Sequence, residues 1–230
     1  MKKQNWKKYA YEFLSIFFAV ILAFGLNRWN EDRRENRAAS KILAEIHSGL
    51  TEDLNDVKEN IYGHKAGLRT CVFWQEVFAG KTPATDSLQM YYFTLTRDFI
   101  SIQNTSGYET LKSRGLELIA NDVLRKDIVS LYEYDYKTLL KLEEQYQEGQ
   151  FHESYFEKLN EYIAPILTFD EKGSITGIKL PTDFTEREKN MLSSYLWKIR
   201  ANRHFAMSGY AEIEGKIKAL REAIGEELEL

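Results

Sequence analysis

Three groups of side chains in this 230-residue chain are of types that do chemistry. Glu144, Glu148 and His152 recur at i, i+4 and i+8, so an unbroken helix would set two carboxylates and an imidazole on one face, where they could ligate a divalent metal. Two-helix carboxylate sites take their second half from a Glu-x-x-His on a facing helix, and the sequence has none, so the face reads as solvated. The run RANRH brings together Arg200, Arg203 and His204, either an anion-binding set or surface charge and pairing within a helix seam. Tyr132, Tyr134 and Tyr136 alternate, with the outer two one helical turn apart; packing and ligand contact both suit them. His47 and His64 fall in no metal-ligand spacing. A single cysteine, Cys71, rules out an internal disulfide framework and a multi-cysteine metal site, and reads as a small buried apolar group. No Ser, Cys or Lys stands in a nucleophile motif, and Gly173 and Gly177 lack the lysine and helix start of a phosphate loop. The expectation is a protein without enzymatic activity of its own and without a cofactor.

The elements that must position these residues are helices. Apolar residues at Ile46, Leu50, Leu54, Val57, Ile61, Leu68 and Val72 recur every three to four positions, and nothing between Arg28 and Phe78 forces a stop. Gly49, Gly63 and Gly67 each cost this helix about 1 kcal/mol relative to alanine. Gly80 and Pro83 end it, and Thr85 or Asp86 can cap a second helix to about Thr96. Thr105 or Ser106 opens a third, with Gly115 as its stop. Asn121 caps a longer one whose apolar face runs Leu124, Ile128, Leu131, Tyr132, Tyr136, Leu139, Leu140 and Leu142, past Tyr146 and, with a weak point at Gly149, on to Ile163. Residues 166–181 form the one hairpin-like stretch, two short apolar runs around DEKG. Thr185 and Glu188 make a capping box, followed by a seam of strict 4,3 alternation at Leu192, Leu196, Ile199, Arg203, Ala206, Tyr210, Ile213, Ile217, Leu220 and Ile224. This coiled-coil-like helix packs either on the first helix of its own chain, the favoured reading, or on copies of itself. Arg203, if buried there, needs a partner.

The N-terminus carries the strongest signal. Between Phe13 and Leu26 only Ser15 and Gly25 are not apolar, a run short for a bilayer span. The flanks extend it: Trp6, Tyr9 and Tyr11 precede it and Arg28 and Trp29 follow, residue types that settle at membrane interfaces. Trp6 to Trp29 as helix is about 35 Å, close to one bilayer crossing. The organisation expected is therefore a basic tail over 1–8, a transmembrane helix over 9–29 and a helical bundle over 30–230. A cleaved signal peptide, with its basic start and the small pair Ala23 and Gly25, and a buried core helix are the rivals. Glu12 and Phe24 argue against the first, and the lack of a polar face against the second. Basic residues are nearly balanced across the run; moving a tail with four lysines and no acid across a membrane is unfavourable, so the N-terminus is expected inside and the domain outside.

Two segments resemble a bacterial family of single-span, membrane-anchored helical proteins known only as a domain of unknown function. In the anchor the likeness rests on Glu12, Asn27, Trp29, Asn30 and Glu31. In the central segment it rests on Tyr108, Glu109, Leu111, Ser113, Gly115, Leu118, Ile119, Asn121, Leu124, Arg125 and Tyr132. Arg28, where another polar neutral residue is expected, and the Phe-rich apolar positions depart from the pattern. The resemblance implies an anchored helical domain in the bacterial inner membrane and carries no catalytic residues.

Residues 38–230 hold 23 basic against 31 acidic side chains, a net charge of −8, so no cationic field exists to bind nucleic acid. The expected fold is all-α, a transmembrane helix continuing into an antiparallel bundle with one small β-hairpin. The expected partners are the lipid bilayer and either further copies of the chain or a protein partner. Two functional classes follow: an interaction or scaffold protein, or a ligand-binding sensor that signals through a partner.

Overall fold

The absence of any proline before Pro83 lets one helix run from the first described turn to Phe78. The computed structural model describes residues 3–229; Met1, Lys2 and Leu230, and with them the start of the basic tail, lie outside it. Helix α1, Lys3–Phe78, is 76 residues long, about 114 Å at 1.5 Å per residue. It ends where Gly80 turns to a φ of +78° and its N–H bonds back to the Val77 carbonyl at 3.0 Å. The apolar window near its start is wholly exposed, long and apolar enough to cross a membrane; the core begins at Ile42 and Leu43.

From there one row of buried positions on α1, Leu43, Ile46, Leu50, Asp53, Val57, Asn60, His64, Gly67, Cys71, Trp74 and Phe78, keeps an unbroken 3,4 alternation, with Ile42, Gly49, Leu54, Gly63, Ala66, Thr70, Phe73 and Val77 buried beside it. This corrects the stripe read from apolar residues alone. Leu68 is half-buried and Val72 is 50 % exposed, because the inward face keeps its heptad phase through polar and small residues instead of drifting with the apolar ones.

The partner on that face is helix α7, Glu186–Glu227, which begins at the expected capping box, the Thr185 hydroxyl accepting from the Glu188 N–H while Glu188 accepts from the Thr185 N–H. It runs antiparallel to α1: Thr182, just before it, donates to the Val77 carbonyl at 3.0 Å, Arg203 lies over Gly67, and Gly225 lies near His47. Leu192, Leu196, Ile199, Arg203, Tyr210, Ile213, Ile217, Leu220 and Ile224 are all buried within the one chain, each aliphatic contributing about 1.5–3 kcal/mol. Ala206 is partly buried beside them.

Shorter elements fill the two ends of this pair. Helix α2, Leu88–Thr94, starts after Ser87 without a side-chain cap, later than Thr85 or Asp86 would place it. Helix α3 is Ser106–Arg114 and stops at Gly115, whose φ is +103°. Helix α4, Asp122–Ser130, is capped by the Asn121 side chain accepting from the Leu124 N–H at 3.2 Å. It passes through a π-helical turn, Leu131–Asp135, into α5, Tyr136–Glu144. Helix α6, Phe151–Ile163, follows a break. Strands β1, Leu167–Phe169, and β2, Ile175–Ile178, pair antiparallel with Leu167 opposite Ile178; Gly173 takes a φ of +82° in their turn. One apolar cluster joins α3, α4 and α5 to residues 42–57 of α1 and the C-terminal half of α7. A second joins α2, α6 and the hairpin to residues 71–78 of α1 and the start of α7. The fold is all-α with one small hairpin, and a polar layer separates its two apolar clusters.

Candidate functional site

The metal-like triplet comes apart first. Helix α5 stops at Glu144 and the chain turns extended at Tyr146, so Glu144, Glu148 and His152 fall on three separate pieces and not on one helix face. The Glu148 carboxylate pairs with Lys198 at 2.7 Å, and His152 stacks on Phe156 with centroids 4.6 Å apart. Among the described residues no three of His, Cys, Asp and Glu are grouped to hold a metal ion. The RANRH set also separates: Arg203 points inward, His204 is exposed, and Arg200 donates to Gln75 at 3.3 Å. Tyr132 and Tyr136 meet edge to face at 5.2 Å inside the core and Tyr132 stacks on Tyr108 at 4.5 Å, while Tyr134 faces solvent. Leu140, counted on the inward face of this stretch, is exposed.

What the fold brings together instead is the middle of the α1–α7 pair and the irregular strap 95–105 that crosses it. A strap with no helix or strand of its own must satisfy its backbone groups elsewhere. Its N–H groups go to carboxylates: Ser101 N–H to Glu143 at 3.0 Å, Ile102 N–H to Asp56 at 3.0 Å, and Asn104 N–H to Asp53 at 2.7 Å. Arg203 holds the start of the strap, Nη2 donating to the carbonyls of Leu95 and Arg97 and of Thr94, the last residue of α2, at 3.1–3.2 Å. Asp98, from the strap, accepts from the Phe151 N–H at 2.6 Å and so caps α6. The glycines of α1 are the seats of this arrangement. A Cβ at Gly63 would come within 2.3 Å of the Phe99 ring, one at Gly67 within 2.4 Å of the Arg203 guanidinium, and one at Gly49 within 3.0 Å of Asn104.

Burial without ion pairing shifts the titrations here. Asp53 is raised to about 6, chiefly by desolvation, against which the bonds from Tyr136 (2.5 Å) and Asn104 work. Glu143 and Asp98 are raised for the same first reason. His64, 2 % exposed, is lowered to about 3 by desolvation and then by the Arg203 charge. Arg203, fully buried, is itself lowered to about 10. Its Nη1 stands 3.3 Å from His64 Nδ1. A guanidinium only donates, so the network assigns Nδ1 as the acceptor of a neutral imidazole and puts the proton on Nε2.

His64 and Glu143 line a cavity of about 30 Å³, room for one or two water-sized groups, walled by Phe99, Phe151 and Tyr210, with the exposed rings of Tyr146 and Phe205 also in its lining. Three buried polar atoms of this layer have no protein partner: His64 Nε2, Glu143 Oε2 and Arg203 Nε. Sequence reading located Arg203 and its need for a partner, but not His64, Glu143 or Asp53; polar residues in heptad phase on α1 were the available signal. Trp6, Tyr9, Tyr11, Arg28 and Trp29 all lie outside the bundle and are exposed. Comparison of the chain with protein-family models, curated proteins and solved structures finds no match.

Proposed function

We propose that this protein is a single-pass, membrane-anchored helical module of the bacterial inner membrane, which acts through a protein partner or self-association and not through catalysis. The observation that carries the reading is the continuity of α1. The apolar residues Phe13 to Leu26 contact nothing in the bundle, and the same helix, without a break, becomes half of the buried α1–α7 pair. A helix apolar on all sides belongs in lipid, where its backbone groups are satisfied internally. The resemblance of the anchor to a family of membrane-anchored proteins supports the same reading. With the α7 seam consumed inside the chain, self-association falls to the exposed surface, where Trp197 and Phe205 stand out on α7. The N-terminus lies in the cytoplasm and the bundle outside. Alkaline carbonate should leave the protein in the membrane fraction, and a membrane-impermeant maleimide should label Ser113→Cys in intact spheroplasts. Release by carbonate overturns the anchor, and labelling only after lysis overturns the orientation.

The cavity favours a second reading, a sensor. A ligand bound between α5 and α7 touches the helix pair whose other member runs into the bilayer, so binding and the membrane segment share one rigid element. In this reading the signal passes to a protein partner.

A further inference from the structure

We infer that the cavity between α1, α5 and α7 is a binding site for the hydroxyl group of a small neutral alcohol whose apolar part packs against Tyr146 and Phe205. As a signal this rests on the sensor reading above; as a binding site it stands alone. The chemistry follows from the two unpartnered atoms of the cavity-lining residues. His64 Nε2 is a donor, because Nδ1 is committed to Arg203. Glu143 Oε2 is the free oxygen of a carboxylate whose Oε1 already accepts from the Ser101 N–H (3.0 Å), the Ser101 hydroxyl (2.6 Å) and the Tyr210 hydroxyl (2.5 Å). A ligand atom that accepts from the first and donates to the second satisfies both, and within one water-sized volume a hydroxyl does so.

Charged groups fit less well. An ammonium offers only donors and would face the His64 N–H beside the Arg203 guanidinium, while a carboxylate or phosphate offers only acceptors and would face Glu143. Leaving such a group unpaired in a dry site is what makes polar sites selective. The rings supply the rest: the walls are Phe99, Phe151 and Tyr210, and Tyr146 and Phe205, exposed and touching each other with ring centroids 5.9 Å apart, complete the apolar lining. An aromatic or short aliphatic tail on the hydroxyl finds apolar contact on its way out.

The probe set is benzyl alcohol, toluene and benzylamine, titrated onto the full-length protein in detergent, with the imidazole ¹⁵N shift of His64 as the readout. Benzyl alcohol is expected to shift the His64 Nε2 resonance saturably, and the other two at least tenfold more weakly. Glu143→Gln turns the Oε2 acceptor into a donor and should weaken benzyl alcohol at least tenfold. Ala206→Val, which narrows the cavity wall and leaves every hydrogen bond of the network in place, should do the same and serves if the glutamine variant fails to fold. Equal response to toluene, or binding undiminished in Ala206→Val, overturns the proposal, as does the absence of any saturable shift, which leaves the cavity a water site only. Saturable binding that leaves partner association in cells unchanged sinks the sensor reading and keeps the site.

Discussion

At the scale of single residues, the glycines of α1 carry the sharpest expectations. In an exposed helix a Gly→Ala change stabilises by up to about 1 kcal/mol. That gain should appear at Gly209 and Gly215 of α7, where an added Cβ meets nothing within 4 Å. At Gly63 and Gly67 the added carbon runs into Phe99 and Arg203, and overpacking of about 1–3 kcal/mol exceeds the helix gain. Urea denaturation of the four variants should therefore give opposite signs for the two pairs. Asp53 makes a second expectation. Its folded pKa of about 6 lies above the unfolded value of about 3.9, so its contribution is fully present below pH 4 and is lost as pH rises through 6. His64 runs the other way: lowered to about 3, its contribution is present above pH 6.5 and is lost as pH falls below it. The two oppose each other between pH 4 and 6. The stability advantage of wild type over Asp53→Asn should be largest at and below pH 4 and shrink by about 2–3 kcal/mol towards pH 7. A constant difference across that range would mean that Asp53 titrates normally in the fold.

At the scale of elements, the strap 95–105 and helix α7 hold each other. Arg203→Met keeps much of the apolar stem but leaves the carbonyls of Thr94, Leu95 and Arg97 and the Nδ1 of His64 without their donor. Each unsatisfied buried group costs about 1–3 kcal/mol, so a total loss of at least about 3 kcal/mol is expected by chemical denaturation. Arg203→Lys should recover little of it, since one ammonium cannot reproduce the planar fork. The seam is tested separately by Ile217→Asp and Leu220→Asp, which bury an unpaired charge among the apolar partners of α7 and should each lower stability by several kcal/mol. Retention of the wild-type melting temperature in both would show that α7 does not hold the bundle at that level. The break between α5 and α6 explains why Glu144, Glu148 and His152 behave independently. Their triple alanine variant loses the exposed Lys198–Glu148 pair, worth less than about 1 kcal/mol, and should melt close to wild type.

At the scale of the whole molecule, one helix of about 114 Å links an exposed apolar stretch to a bundle with two apolar ends and a polar waist. What the sequence by itself determined was whatever depends on local pattern. The long α1, its stop at Gly80, the Asn121 cap, the Thr185 capping box, the turn at Gly173 and the 4,3 seam of α7 are all written within a few residues of where they act. The apolar run from Phe13 to Leu26 is legible for the same reason. Tertiary structure alone decided where the backbone groups of the strap would go. Nothing local to Asp53, Asp56 or Glu143 says that each accepts an N–H from a segment some 40 to 50 residues away, or that Gly63 and Gly67 are small because Phe99 and Arg203 arrive from elsewhere. The inward face of α1 was misread past Val57 on the same account: a polar or glycine residue at a buried position becomes favourable only when a distant partner satisfies it or fills its space, and periodicity in one chain segment cannot register that partner.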